Sequence, residues 1–338
     1  MKALCFGSLN IDYTYRVDHF VQPGETLAAD SLQVFSGGKG LNQAIALARA
    51  GAETCMAGAV GEDGRFLLEE LSAAGVCTDH VGVLQQVRTG NAIIQNDKTG
   101  DNCILLYGGA NRAVTKAQVD EVLQHFSADD WLLLQNEINN LPYIMRRAHE
   151  RGLRIAFNPS PMEARVLEWP LEYVDLFLLN RVEAAQLAGT DGAADGLLRV
   201  LREKFPGAAV VLTLGAQGAV YADSEQTIRQ AAYPAEAVDT TAAGDTFTGF
   251  FLASLLRGEG VPQAMEWAAR AAACSVTRRA RRRPSRRGSR PRRSADENTD
   301  KQGAGSGGTC PLLQLPGREN DGNFPRALVE IYKYNCCA

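Results

Sequence analysis

The sequence predicts an α/β protein: a doubly wound, mainly parallel sheet flanked by helices, with a small β-sheet lid. Three observations carry this. Apolar runs of four to six residues alternate with helical stretches along most of the chain, the pattern of strands buried on both faces. Polar residues follow those runs, at the strand ends where open α/β sheets bind ligands. Two further groups of strands, at about 12–36 and 88–108, interrupt the early alternation and read as a flap over one face.

Taken in order, Ala3–Phe6 is a short apolar run ending in Gly7-Ser8, which places Asn10 and Asp12 at the end of a buried strand. A plain Asx turn is the alternative for that pair. Strands are expected over Tyr13–Phe20 and Ser31–Phe35, joined through a turn at Pro23-Gly24-Glu25-Thr26. Ser36-Gly37-Gly38-Lys39-Gly40-Leu41-Asn42 then opens a helix over Gln43–Ala50. Its glycines let backbone approach a bound group, and Lys39 and Asn42 offer donors. The loop matches neither GxxxxGK[ST] nor GxGxxG, which disfavours hydride transfer on a dinucleotide.

A strand over Thr54–Val60 and a helix over Arg65–Ala74 follow, then a hairpin of Arg88–Asn96 and Asn102–Tyr107 around Asp97-Lys98-Thr99-Gly100. From residue 117 the alternation is regular. Helix 117–126 leads to strand Trp131–Leu134 with Glu137 just beyond, and helix Pro142–Arg151 leads to strand Arg154–Phe157, which ends in Asn158. Strand Leu176–Leu179 ends in Asn180, with Glu183 opening a helix. Strand Val210–Leu214 runs into the tight loop Gly215-Ala216-Gln217-Gly218 and the strand Ala219–Tyr221.

The heptapeptide from Asp239 to Asp245 precedes a buried helix over Thr246–Leu256. Small residues at a helix start leave several N–H groups converging on a space that attracts anions. Asp245, at the rim, is placed to take a proton from a hydroxyl attacking a phosphoryl group. A first-turn acid beside a turn glycine, Gly244, is the competing reading. Polar residues thus recur at strand ends: Asn10 and Asp12, Glu137, Asn158, Asn180 and Glu183, Thr213, Asp239 and Asp245. Any one can be a cap; their convergence on one crevice argues for an active site.

With 338 residues, 45% of them apolar, the chain suits one large α/β domain or two smaller ones. It lacks an apolar run of 18 residues and a signal-peptide start, so a cytoplasmic protein with no membrane partner is expected. Eight scattered cysteines read as reduced core thiols. The net charge of −4 conceals a division. From residue 278 onward 14 Lys/Arg face 6 Asp/Glu, a charge of +8, which leaves −12 on the first 277 residues. The body is an ordinary acidic domain with no basic face for nucleic acid.

The motifs GSLNID (7–12), PGET (23–26), GGKGLNQA (37–44), GAVGEDGRF (58–66), NPSP (158–161), NRVE (180–183), TLGAQG (213–218) and DTTAAGDTFTG (239–249) together resemble the ribokinase family of sugar kinases, over residues 1–278. The resemblance implies a ribokinase-like fold and in-line transfer of the ATP γ-phosphoryl group to the 5-hydroxyl of D-ribose. It implies that Asn10, Asp12, Gly38, Lys39, Gly40, Asn42 and Glu137 hold sugar hydroxyls. Asp245 would be the general base, with N–H groups from Ala242, Ala243 and Gly244 stabilising the transferring phosphoryl group. Asn180, Thr213, Gly215, Gly218, Gly244 and Ala269 would line the ATP site, and Glu183 would orient water on Mg²⁺. Asp239, Thr241 and Ser275 would hold a monovalent cation, K⁺. The lid sheet would pair two subunits into a homodimer. Another sugar or a nucleoside is the alternative acceptor. One departure is Phe250, where the family has a small residue after Gly249.

A helix is expected over Pro262–Ala273, after which the resemblance stops at 278. Ten of the sixteen residues from Arg278 to Arg293 are Arg, and a Gly/Ser-rich end follows. The division expected is a kinase domain over 1–277 and a disordered, non-family tail over 278–338. A solvated tail and an arm for nucleic acid compete with a shift of reading frame, the preferred reading, because displaced alanine and glycine codons in a GC-rich gene become arginine and proline codons. Loss of the family's cation loop would leave a sugar- or nucleotide-binding protein with impaired catalysis as the alternative to an enzyme.

Overall fold

The structure, a computed structural model, describes residues 1–277 apart from 237, 239 and 241. The expectations for Asp239, Thr241 and the Arg-rich tail fall outside the described residues. In chain order the elements are β1 (Ala3–Phe6), β2 (Asn10–Arg16), β3 (Ser31–Gly37), α1 (Lys39–Arg49), β4 (Thr54–Gly61), α2 (Arg65–Ala73), β5 (Cys77–Leu84), β6 (Gly90–Asn96) and β7 (Asn102–Tyr107). There follow α3 (Lys116–Leu123), β8 (Trp131–Gln135), α4 (Leu141–Glu150), β9 (Arg154–Asn158), β10 (Leu176–Asn180), α5 (Arg181–Ala188) and α6 (Ala194–Lys204). β11 (Ala209–Thr213), β12 (Ala219–Ala222), β13 (Thr227–Gln230), α7 (Ala243–Leu256) and α8 (Val261–Val276) complete the described chain.

Every residue of β1, β4 and β8 is buried, as continuous apolar runs require when helices cover both faces of a sheet. Alternation along β1 divides its side chains between two cores: Leu4 and Phe6 pack with α3, α4, α5 and α6, while Ala3 and Cys5 pack with α1, α2, α7 and α8. The large sheet has nine strands in the order β13-β12-β11-β10-β9-β8-β1-β4-β5. All neighbours from β5 to β11 are parallel, and β12 and β13 are antiparallel. The chain leaves β1 toward β4 and β5 on one side and resumes at β8 on the other. The junction of β1 and β8 is therefore the switch point, where the carboxyl ends of the strands leave a crevice.

The lid is a second sheet, β3-β2-β6-β7. β2 pairs antiparallel with β3 and parallel with β6, and β6 pairs antiparallel with β7. The doubly wound core with a lid is thus as the sequence predicts. Three details differ. β5 joins the edge of the main sheet although Asp79, His80 and Gly82 break its apolar pattern. The helix expected at Gln43 begins at Lys39, directly after Gly38 at φ 94°. Asn10 and Asp12 lie within the lid strand β2, so neither is in a turn. Phe250, on α7, is buried in the core that α1, α2, α7 and α8 share, so the fold accommodates the large ring there. Among the described residues, no helix is long and apolar enough to cross a membrane.

Candidate active site

The site forms where β1 ends and the lid begins. Lys39 N–H donates to Glu137 Oε2 at 3.0 Å, Gly40 N–H donates to Ser8 Oγ at 3.2 Å, and Leu41 N–H donates to the Ser8 carbonyl at 2.9 Å. Ser8 Oγ in turn donates to the Glu137 carboxylate. These bonds stitch the glycine loop onto the β1–β8 switch point. The approach is so close that a Cβ on Gly40 would sit 2.6 Å from the Gly7 carbonyl carbon. Gly38 takes a backbone conformation that side chains disfavour.

Asn10, only 8% exposed, is held by Asn111, whose Nδ2 donates to Asn10 Oδ1 at 2.7 Å. Asn111 also receives Leu9 N–H at 3.0 Å, so one buried amide fixes the entry to the lid. Asp12 stands opposite Phe35 across the β2–β3 pair. Burial, and then the charge of Glu137, push its carboxyl up to about 6.

Asp245 lies in the first turn of α7 and is 7% exposed. Its Oδ2 accepts from Asn42 Nδ2 at 3.2 Å and its Oδ1 from Gln43 Nε2 at 2.8 Å. Lys39 Nζ stands 3.9 Å from Oδ1. Two amides and one ammonium from α1 therefore hold the carboxylate. Ahead of it, Ala242 is left-handed at φ 59°, Ala243 N–H donates to the Thr240 carbonyl at 3.3 Å, and Thr246 N–H donates to the Ala242 carbonyl at 2.8 Å.

The crevice continues under β9 and β10. Gln43 Nε2 also reaches Asn158 Oδ1 at 3.3 Å, and Asn158 Nδ2 donates to the Leu178 carbonyl at 2.8 Å and to Glu183 Oε2 at 3.5 Å. Asn180 and Glu183 form a reciprocal capping box on α5, with both bonds 2.9 Å long. Thr213 Oγ1 donates to the Leu179 carbonyl at 3.2 Å, and Gly215 and Gly218, both at positive φ, frame the turn beyond it.

Contacts thus bring together Asn10, Asp12, the 38–42 loop, Glu137 and Asp245, and extend through Asn158 to Glu183. They do not reach Ala269, which is packed in the core of α8, or Ser275, whose hydroxyl donates to the Ala272 carbonyl at 2.8 Å. Four polar residues of the site were given no role by the sequence reading: Ser8 and Gln43, which lie inside the quoted motifs, and Asn111 and Gln135. For Gln43 and Gln135 the signal was a polar type against apolar neighbours, Leu41, Ala44 and Leu47 in one case and Leu132, Leu133 and Leu134 in the other; Ser8 and Asn111 stand beside glycine and polar residues and carry no such signal.

A doubly wound α/β core, with a glycine loop, strand-end amides and a buried carboxylate gathered under a β lid, defines a small-molecule kinase of the ribokinase-like class. Residues 1–286 match the pfkB family of carbohydrate kinases, and the chain belongs to that family. It is a sugar kinase. The chain is 32% identical over 280 residues to the ribokinase of Haemophilus influenzae, covering 81% of this chain and 91% of that protein. It superposes on the ribokinase of Cryptococcus neoformans in complex with ADP at a TM-score of 0.72, with 31% identity over 82% of this chain and 95% of that one. It also superposes on an Arabidopsis thaliana ribokinase complexed with ribose and ATP, at 0.72 and 27% identity, covering 81% and 92%.

Proposed function

We propose that this sugar kinase transfers the γ-phosphoryl group of ATP to the 5-hydroxyl of D-ribose, with Asp245 as general base. The observation that carries the reading is the Asp245 carboxylate, buried yet held by Asn42, Gln43 and Lys39 in the crevice that Asn10, Asp12 and Glu137 share. Relatives named for ribokinase activity, and one solved with ribose and ATP, support the choice of sugar.

In this mechanism Asn10, Asp12, Gly38, Lys39, Gly40, Asn42 and Glu137 orient the sugar, and Asp245 takes the proton as the hydroxyl attacks in line. Proper orientation is worth several powers of ten in rate. The N–H groups of Ala242, Ala243 and Gly244 would stabilise the charge on the transferring group, that of Ala243 by leaving the Thr240 carbonyl it meets at 3.3 Å, and one well-placed donor of this kind contributes ~3–4 kcal/mol. Lys39 adds positive charge on the same side. The nucleotide lies along Asn180, Thr213, Gly215, Gly218 and Gly244. Glu183, whose buried carboxylate is a hard oxygen donor, would hold through water a Mg²⁺ arriving with ATP, and that ion would supply neutralisation of phosphate charge. A K⁺ at Asp239 and Thr241 would shape the anion loop. We place the end of the kinase domain near residue 277, although the family match runs on to 286, and the exposed lid strand β7 would pair two subunits.

The test is ribose-dependent release of ADP from Mg-ATP, with and without K⁺, and across pentoses, ketohexoses and nucleosides. Turnover highest on ribose supports the reading. Higher catalytic efficiency on another sugar or nucleoside reassigns the acceptor. Binding of ribose and ATP without turnover would instead favour the second reading, a binding protein whose cation loop is lost at the Arg-rich segment after residue 278.

A further inference from the structure

Gln43 is wholly buried on α1, where its buried neighbours Leu41, Ala44, Ala46 and Leu47 are apolar. An amide at such a position is costly unless both of its ends are bonded. Both are. Nε2 donates to Asp245 Oδ1 at 2.8 Å and to Asn158 Oδ1 at 3.3 Å, while Oε1 accepts from Gln135 Nε2 at 2.7 Å. Gln135 closes β8, is itself wholly buried, and also points Nε2 at Cys5 Sγ, 3.6 Å away.

The direction of this chain is fixed by its end. A carboxylate only accepts, so Gln43 turns nitrogen to Asp245 and oxygen to Gln135, and Gln135 answers with nitrogen. Among the described residues, Gln135 Oε1 is left buried with no partner. Turning that amide over would set its oxygen against the oxygen of Gln43, so the orphaned acceptor is the better arrangement.

We infer that Gln43, backed by Gln135, is a positioning residue for phosphoryl transfer: it fixes Oδ1 of Asp245 with a buried N–H, so that Oδ2, which also accepts from Asn42 Nδ2, is the oxygen turned to the sugar hydroxyl. This rests on Asp245 being the base. Among the described residues, the other charged or titratable groups shown to act on that carboxylate are Lys39, 3.9 Å from Oδ1, and Cys5 on β1. The Cys5 thiol is pushed up to about 12, chiefly by burial, with the charge of Asp245 adding to it. Glu183 is one residue removed, through Asn158.

The experiment compares Gln43→Glu, Gln43→Leu and Asp245→Asn in the full chain, measuring kcat and sugar KM from pH 5 to 9 alongside thermal melts. Gln43→Glu keeps the shape but sets carboxylate against carboxylate, and such a pair shares a proton. The acid limb of its kcat profile should move up by about one pH unit or more, with sugar KM changing less than about threefold. Gln43→Leu should lower kcat by about 10- to 100-fold, the scale expected when a reacting group drifts. If the leucine variant does not fold, the glutamate variant alone decides between the outcomes. A kcat–pH profile for Gln43→Glu that overlays the parent, while Asp245→Asn is inactive, overturns the positioning role and leaves the base in place. A parent-like rate in Asp245→Asn overturns both.

Discussion

Asn42 Nδ2 donates to Asp245 Oδ2 at 3.2 Å, joining residues 203 positions apart in the chain. Asn42 lies in the first turn of α1, in the motif proposed to hold the sugar, and Asp245 in the first turn of α7, beside the residues proposed to meet the phosphoryl group. This bond makes the two halves of the site one object. A carboxylate held this way, the base in the proposed mechanism, stands against the segment proposed to bind the sugar. Asp245→Asn keeps the shape and removes the charge. We expect kcat to fall by about 10²- to 10⁴-fold, the usual contribution of a positioned base, with sugar affinity by calorimetry nearly unchanged. A variant that still turns over at about a tenth of the parent rate or better would remove Asp245 from that role.

Asp12 gives the site a pH dependence. Its carboxyl is pushed up to about 6, first by burial and second by Glu137. In the proposed mechanism the ionised form accepts from sugar hydroxyls, so binding sugar and binding a proton compete. Sugar KM should be flat above pH 6 and rise as pH falls through 6, at most about tenfold per pH unit for one group. In the unliganded protein the sign is opposite. The raised value means the fold binds this proton more tightly than the unfolded chain, so Asp12 adds stability as pH falls from 6 toward the ordinary aspartate range. Asp12→Asn should flatten the KM profile between pH 5 and 7. An unaltered profile would place the titrating group elsewhere.

Much of this site could be read in the sequence, and what could not has a common cause. Strand-end polar residues such as Asn10, Glu137 and Asn158 follow apolar runs, so local pattern finds them. Asn180 and Glu183 carry a second message in the same spacing, since an Asn three residues before a Glu at a helix start is a capping box. The structure shows that cap directly. Gln43, Asn111 and Gln135 were not legible, because their partners lie 202, 102 and 92 residues away and no local period encodes such pairing. β5 was missed for a related reason: an edge strand buries less, so Asp79 and Gly82 are tolerated and the apolar signal fades.

Gly40 tests whether the closeness of the glycine loop to β1 matters. A Cβ there would lie 2.6 Å from the Gly7 carbonyl carbon and 2.7 Å from Gly7 Cα, and neither is a flexible side chain that could yield. Gly40→Ala must push α1 and its loop off the strand end. Overpacking of this kind costs about 1–3 kcal/mol, and it lengthens the bonds that Gly40 and Lys39 make to Ser8 and Glu137. A lower melting temperature and a raised sugar KM should appear together. Parent-like values of both would mean that the loop has slack its contacts do not suggest.

The lid carries the last prediction. All six residues of β7 are exposed, with Ile104 at 51%, Leu105 at 67%, Leu106 at 58% and Tyr107 at 55%, and β7 is the edge of its sheet. A long apolar edge is a template for another strand, and natural proteins cover or charge such edges. A second copy of this chain is the occupant we propose, pairing lid to lid. Leu105→Lys places a charge in the middle of that edge without touching Asn10 or Asp12, which lie on β2 beyond β6. Sedimentation at micromolar concentration should then show a dimer for the parent chain and a monomer for Leu105→Lys. Sugar KM should rise in the variant, since the lid that carries Asp12 would lose its support. A monomeric parent at tens of micromolar would leave the edge without its partner and refute the pairing.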